Sequence, residues 1–203
     1  MDTEGPITTR PLRRDDWRVV DALFGHNGAC GGCWCMWWRI PMGGKTWDAA
    51  KGTPNRRAFK ALVESGRASG VLAFIGDIPV GWCSVGPRAE FPRLERSKAL
   101  AREWHEATWS LNCLFVPARY RGNGVARALV AAAVEFARKQ GARELEAYPQ
   151  GLGPGERQAG AFVWTGVPAL FEPLGFRPLI KPGRGRTLYL LSLPIAAPQQ
   201  FAP

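Results

Sequence analysis

Apolar positions recur along this chain with two periods, and the switch between them marks the elements. Trp17, Val20, Leu23 and Phe24 fall at helical spacing behind Asp15-Asp16, which predicts a helix to Phe24 capped by one of those aspartates. Thr53-Pro54 is a helix start, an N-cap residue followed by proline at the first helical position. The helix it opens runs to Ser65 and buries Phe59, Leu62 and Val63. Shorter runs read as strands: Ile7 to Leu12, then Val71 to Ile75 and Val80 to Val85 around the turn Gly76-Asp77-Ile78-Pro79, a β-hairpin closed by Gly86-Pro87. Thr108 to Val116 is an apolar central strand. Val125, Leu129, Ala132 and Phe136 then return to helical spacing up to Gly141, a suitable residue just past a helix end. Glu144 to Tyr148 alternates as a half-buried strand. Leu94 to Trp104 is expected as a helix or a helical loop. Phe176 to Ile180 and Arg186 to Leu193 are expected as final strands, joined by Pro182-Gly183-Arg184-Gly185. The segment Gly25 to Gly44 is glycine-rich and irregular, Gly151 to Gly155 reads as a mobile loop, and 194–203 as a flexible tail. No repeat or domain linker is visible, and strands mixed with helices imply an α/β sheet with helices on both faces.

The junction between the central strand and its helix carries the chemistry. Val116-Pro117-Ala118-Arg119-Tyr120-Arg121-Gly122-Asn123-Gly124-Val125-Ala126 is a strand end, a glycine-bearing loop and a helix start. The first turn of a helix leaves its N–H groups without partners, and small residues let an anion come close, so this place suits a pyrophosphate. A P-loop would need Gly-Lys-Ser/Thr where Gly124-Val125-Ala126 stands. A dinucleotide fold would need a third glycine in an early βαβ unit. Both readings are poor.

Arg121-Gly122-Asn123-Gly124-Val125-Ala126 resembles the Arg/Gln-x-x-Gly-x-Gly/Ala signature of the GNAT superfamily of acyl-CoA-dependent N-acyltransferases. Ala169 to Phe176 resembles that superfamily's late helix, which ends in Gly-Phe, here Gly175-Phe176. The cysteine- and tryptophan-rich segment with Gly81 to Arg88 resembles an actinobacterial-type branch of the superfamily. The resemblance implies a GNAT-type α/β fold, a mixed, mostly antiparallel twisted sheet of about seven strands with helices on both faces, in a single acyltransferase domain over 1–203. It implies acetyl-CoA or another acyl-CoA as co-substrate. Backbone groups of Phe115 and Val116 would meet the pantetheine arm. The N–H groups of Gly122, Asn123, Gly124, Val125 and Ala126 would hold the pyrophosphate with the helix dipole, and Arg121 and Arg127 would add charge. The reaction implied is direct attack of a small-molecule amine on the thioester. A carrier-protein thioester as donor and a non-catalytic acyl-CoA-binding module are the alternatives.

Such chemistry needs a base for the amine, a donor for the carbonyl oxygen and a way to protonate the leaving thiolate. A backbone N–H near Val116 would serve the oxygen. Many superfamily members place a tyrosine four residues before the Gly-Phe as the acid, whereas Phe171 stands there in this chain. The thiolate then leaves unaided, a thiol pKa near 8.5 making it a tolerable leaving group, or Tyr148 or Cys113 substitutes. His105 and Glu106 are base candidates, with Asn112 to position a water; Glu90 is a further group within reach of the acceptor. The segment between the first two helices would form the acceptor wall. Trp34, Trp37, Trp38 and Trp82 would make an aromatic pocket, with Arg39 or Arg88 holding a carboxylate or phosphate. For the tryptophans, plain core filling is the competing reading.

Composition narrows the remaining classes. With 203 residues, 46% of them hydrophobic, the chain has enough for one well-packed domain. No run of about twenty apolar residues exists, so no membrane helix is expected. Met1 to Pro6 lacks a signal peptide's apolar core, and a cytoplasmic location is expected. The net charge of +10 raises nucleic acid as a ligand, but the arginines are scattered in pairs such as Arg13/Arg14 and Arg56/Arg57, and that partner is not expected. Cys30, Cys33 and Cys35 with His26 are zinc-compatible types, yet structural zinc sites use two separated ligand pairs and the second pair is missing. No metal is expected, and the five cysteines read as thiols. Homodimerisation stays open, as does the identity of the amine.

Overall fold

The computed structural model describes residues 5–151, 163–179 and 184–194. The expected mobile loop beyond Gly151, most of the final hairpin's turn and the tail beyond Pro194 lie outside the described residues. In chain order the elements begin with β1 (Ile7–Pro11), α1 (Trp17–Phe24), α2 (Lys45–Ala50) and α3 (Thr53–Glu64). Next come β2 (Gly70–Ile75), β3 (Ile78–Pro87), β4 (Thr108–Phe115), α4 (Val125–Lys139), β5 (Glu144–Ala147) and β6 (Gln150–Gly151). Last are α5 (Pro168–Phe171), β7 (Arg177–Pro178), β8 (Gly185–Arg186) and β9 (Tyr189–Ser192). Seven strands form one sheet in the order β1-β2-β3-β4-β5-β9-β7, and β6 pairs β8 beside it. Among the described residues, β4 and β5 alone run parallel and the other pairings are antiparallel.

Helices cover both faces of the sheet. The apolar stripe of α4 (Val125, Leu129, Val130, Ala133, Val134 and Ala137) packs on one face against Val71, Ala73, Cys83, Val85 and Leu111. Helices α1 and α3 cover the other face through Trp17, Phe24 and Phe59, joined by Trp34 from the turns after α1, against Trp82 of β3. Phe24 ties this layer together, stacking on Phe59 at 6.0 Å and meeting Trp82 edge-on at 6.3 Å.

Two features of β4 shape the site. Ser84 pairs with Cys113 and Val85 with Leu111, so Asn112 is an extra residue, a β-bulge that bends the strand. The bulge leaves a carbonyl outside the ladder, and the Trp38 indole N–H donates to it at 2.8 Å. Pairing with β5 stops at Leu111, while β4 continues to Phe115. Past that point the Leu114 N–H bonds the Trp164 carbonyl at 2.6 Å instead. Strands β4 and β5 therefore part at their C-terminal ends and leave a gap.

Several local expectations change. Leu94 to Trp104 is no helix. Pro92–Arg96 is a 3₁₀ turn, and the chain from there to β4 is held by side chains, with Glu95 and the Leu100 carbonyl both bonded to Arg88. The last two strands are shorter than the apolar runs suggested: β7 spans Arg177–Pro178, and Thr187-Leu188 interrupts the run from Arg186 so that β9 spans Tyr189–Ser192. Asp16 stands at the start of α1 but makes no cap bond. Its carboxylate takes two bonds from Arg10, one of them at 2.7 Å, and one from the Arg13 N–H at 2.7 Å. Charge pairing with arginine wins over the cap and holds the Asp16 carboxyl below its usual range, against the opposing effect of burial.

Candidate active site

The cradle forms as the glycine spacing requires. Gly122 and Gly124 have φ of 84° and 82°, a left-handed conformation that disfavours side chains, and a Cβ on either would project into open space. Gly124 is the N-cap of α4 and offers no capping side chain. The first helical backbone bond is Ala128 N–H to the Gly124 carbonyl at 3.0 Å. The N–H groups of Gly124, Val125, Ala126 and Arg127 are thus left for a ligand. Among the described residues, nothing accepts from the N–H groups of Gly122 or Asn123 either. The exposed side chains of Arg121 and Arg127 flank the recess, which Val116, Tyr120 and Leu170 complete. Arg121 also donates from Nε to the Val116 carbonyl at 2.9 Å, which ties the strand end to the loop.

This recess is the first part of a trough. A channel of about 210 Å³ shares Val116, Arg121, Ala126 and Leu170 with it, and runs between Leu114, Phe115, Val163, Trp164 and Gly166, in the gap between β4 and β5. The channel in turn shares Ala29, Cys30, Leu114, Phe115 and Trp164 with a second cavity of about 300 Å³. Phe24, Cys33, Cys35, Trp37, Trp47, Cys113 and Arg186 line that cavity. The order is anion cradle, narrow strand-edge channel, aromatic chamber. The residues present therefore fit a nucleotide diphosphate with a long thioester arm: amides at one end, strand backbone along the middle, an apolar chamber at the tip.

The expected catalytic and acceptor residues distribute unevenly over this trough. His105 and Glu106 stand exposed before the N-terminal end of β4, and His105 Nε2 lies 3.4 Å from Glu144 Oε2. At about 3.3 Å per strand residue, β4 separates them from the cradle end by about 23 Å. They are not brought to the trough. Asn112 is buried on the bulge, its Nδ2 3.3 Å from Ser110 Oγ, and its Oδ1 has no partner among the described residues. Tyr148 is fully buried. Its hydroxyl donates to Glu146 at 2.6 Å and lies 3.0 Å from Ser110 Oγ. Burial and the Glu146 carboxylate push its pKa well up, so it stays protonated behind Trp38, outside the chamber wall.

Arg88 is likewise turned away. It is fully buried, donating from Nε to Glu146 at 2.7 Å and from the fork to Glu95. Arg39 pairs with Glu90 at 2.8 Å and lies 4.7 Å over the Phe91 ring. Those three side chains pair within the fold, with Arg39 Nε left unbonded among the described residues, and they do not line the chamber. Trp34 and Trp82 are core, at 2% and 1% exposure. Trp37 does face the chamber. Its edge-on neighbours at 4.9 Å and 6.4 Å are Trp47 and Trp164, which sequence reasoning did not single out, and Phe24 and Arg186 were missed with them as lining residues; Phe115, expected along the coenzyme arm, borders both channel and chamber. Trp47 escaped because α2 has six residues, too few for periodicity to register.

The cysteine segment folds into tight turns. Ala29, Trp34 and Cys35 adopt positive φ of 68°, 48° and 59°, each costing of the order of 1–3 kcal/mol, a strain that clusters at functional sites. Among the described residues no group of three or more His, Cys, Asp or Glu is arranged to hold a metal. Cys35 and Cys113 form a coupled pair at the chamber wall. The neighbouring Cys113 thiol lowers Cys35 to about 7 against the cost of burial, helped by the Trp82 indole N–H at 3.3 Å and the Arg39 charge. Cys113 is held well above its usual value by its bond to Cys35 and by burial. Burial raises Cys33 to about 11. No carboxylate or imidazole among the described residues lines the channel or the chamber.

Phe171, at the position where the resemblance implied a tyrosine, is sealed in the core, edge-on to Phe176 at 5.4 Å. Phe171→Tyr is therefore expected to add a buried hydroxyl without a partner and lower stability by about 1–3 kcal/mol. Turnover should not rise. Urea midpoints and kcat measured together check this, and a gain in kcat would place that position in the trough after all.

A model of the "Acetyltransferase (GNAT) family" matches residues 34–151. No curated relative matches the chain in sequence. Solved structures share its fold. An N-acetyltransferase from Staphylococcus aureus Mu50 is 16% identical with a TM-score of 0.53, covering 94% of this chain and 100% of that one. YncA from Salmonella typhimurium, described as a putative acetyltransferase with its cofactor acetyl-CoA, is 17% identical with a TM-score of 0.53, covering 97% and 99%. The PaiA N-acetyltransferase from Thermoplasma acidophilum, in complex with coenzyme A, is 11% identical with a TM-score of 0.52, covering 92% and 99%.

Proposed function

The chain belongs to the GNAT acetyltransferase family, and we propose that it moves an acetyl group from acetyl-CoA to the amine of a small molecule seated in the aromatic chamber. The continuity of the trough carries this reading: the cradle, channel and chamber share wall residues in that order. The pyrophosphate would sit on the N–H groups from Gly122 to Ala126, and the pantetheine arm would lie along Leu114 to Val116. The thioester would then open into the chamber beside Cys35, Cys113 and Trp37. Among the described residues the Val116 N–H has no acceptor, and it is the donor we assign to the thioester oxygen as charge gathers there.

Cys35 is the base we assign. As the amine bonds to the carbonyl carbon its nitrogen becomes acidic, and the Cys35 thiolate takes that proton. The carbon–sulfur bond to coenzyme A then breaks. A thiol held near 7 is a stronger acid than a coenzyme thiol near 8.5, so the proton passes downhill to the leaving thiolate. Cys113 acts as a positioning residue, its thiol proton keeping Cys35 ionised. The sign is plain: a lowered acid pKa means the competent thiolate is present above about pH 7 and lost below it. A rise in kcat/KM through about pH 7 is expected in the native chain. Cys35→Ser should remove that limb and lower kcat by about a hundredfold, and Cys113→Ala should move the limb to higher pH. An unchanged profile in Cys35→Ser would leave the amine arriving neutral with no cysteine involved.

The direct test of the function is release of coenzyme A thiol from acetyl-CoA across a panel of primary amines, beside thermal stabilisation by coenzyme A. Phe171 favours one other reading, an acyl-CoA-binding module without catalysis. Stabilisation with no thiol release from any amine would establish it.

A further inference from the structure

The chamber holds a cation without an anion. Arg186, on β8, lines its inner wall. Its guanidinium lies 4.5 Å from the Trp164 ring centroid and 5.8 Å from that of Trp38. Its Nε is buried and unbonded, and among the described residues no carboxylate pairs with it. Burial lowers its pKa, the direction expected of a cation short of a counter-charge.

Two neighbouring arginines have carboxylates: Arg88 pairs with Glu146 and Glu95, and Arg39 pairs with Glu90 through Nη1, although its Nε is also buried without a bond. Arg93 donates to the carbonyls of Ile40 at 2.8 Å and Met42 and lies outside the chamber lining. Among the described residues Arg186 is held by the faces of Trp164 and Trp38, and its Nε donor is unused. A desolvated charge without a partner costs stability, and a ligand that supplies the partner recovers it. Arg186 also lines no part of the cradle or the channel, so the coenzyme phosphates are not its natural counter-ion.

Resting on the acetyltransferase reading, we infer that Arg186 pairs with a carboxylate carried by the molecule that occupies the chamber, on an apolar or aromatic body stacked among Trp37, Trp47 and Trp164. A planar guanidinium matches a carboxylate through two parallel bonds. One cation in an aromatic wall suits a monoanion, whereas a phosphate dianion would call for more donors than the chamber lining offers. The carboxylate enters from one of two sources, the acceptor amine, as in an aromatic amino acid, or the acyl group of the thioester.

The test compares 3-phenylpropionate with its neutral amide by calorimetry on the coenzyme-A-saturated protein. The carboxylate should bind at least tenfold more tightly. In Arg186→Gln the difference should fall below twofold while coenzyme A affinity stays within twofold, which reports an intact fold. Equal binding of the two probes to the native chain, or a preference that survives Arg186→Gln, overturns the inference. Turnover then separates the sources. Acetyl transfer to phenylalanine over phenethylamine, lost in Arg186→Gln, places the carboxylate on the acceptor. Preference for succinyl-CoA over acetyl-CoA with phenethylamine, lost in the same variant, places it on the acyl group. Failure of coenzyme A itself to bind would sink the acetyltransferase reading and leave a retained carboxylate preference standing.

Discussion

Gly124→Val is expected to weaken coenzyme A binding by roughly a hundredfold or more, equivalent to about 2.7 kcal/mol. Two effects combine. The site requires φ of 82°, where a β-branched residue is strained, so the loop shifts or the chain stores about 1–3 kcal/mol. The new methyl groups also project into the space over the N–H groups of the first turn of α4, where nothing of the protein lies within 4 Å. The matched control is Gly141→Val. Gly141 has φ of 85° and equally open surroundings, but it follows the far end of α4, about 22 Å away at 1.5 Å per residue. It should cost similar stability and leave coenzyme A affinity unchanged. Calorimetric titration of both variants checks the pair. Equal loss of affinity in the two would attribute the effect to strain in α4, and full affinity in Gly124→Val would remove the cradle as the diphosphate site.

The cradle was legible because it is local. Strand, glycines and helix onset follow one another within sixteen residues, Leu111 to Ala126, and each signal has its own physical cause. The sheet was legible for a related reason: hairpin partners sit close in sequence, and the apolar stripe of α4 has the right period. The chamber was not legible. Its walls come from α1, the cysteine turns, α2, β4, Trp164 and β8, and no periodicity reports where an irregular segment points a side chain. Arg88 shows the difficulty. It follows the hairpin directly, as an acceptor-facing residue would, but its carboxylate partner Glu146 lies 58 positions on and draws it into the core. Arg186 shows the converse, a residue expected only as the start of the last strand that ends at the chamber wall.

The bulge also explains how one strand serves both tasks. Up to Leu111, β4 is an ordinary parallel neighbour of β5 and contributes to the core above α4. After Asn112 the side-chain alternation shifts by one, so Cys113 lines the chamber while Leu114 and Phe115 border both chamber and channel. Trp38 holds this change in place through the Asn112 carbonyl, and Trp38 is itself backed by Tyr148 at 5.9 Å.

Behind that wall lies the second large expectation, Glu146→Ala. Glu146 is fully buried on β5 and accepts from Arg88 Nε at 2.7 Å, from Arg102 and from the Tyr148 hydroxyl at 2.6 Å. Removing it strips the fully buried Arg88 of its only buried anion. Glu95, with its side chain 46% exposed, remains as a weaker partner. Breaking one side of a buried pair costs about 3–5 kcal/mol, which for a chain of this size lowers Tm by about 2–4 °C per kcal/mol. A fall of about 6–20 °C in calorimetry is therefore expected, along with loosening of Trp38 and weaker retention of chamber ligands. Adding Arg88→Met should restore part of the loss, because the stranded charge leaves with it and an apolar chain fills the space. A double-mutant cycle reads the coupling directly. Additive losses from the two substitutions, or a Tm change under 2 °C in Glu146→Ala, would mean that Arg88 is served by Glu95 and the Leu100 carbonyl alone, and that the wall stands without the carboxylate.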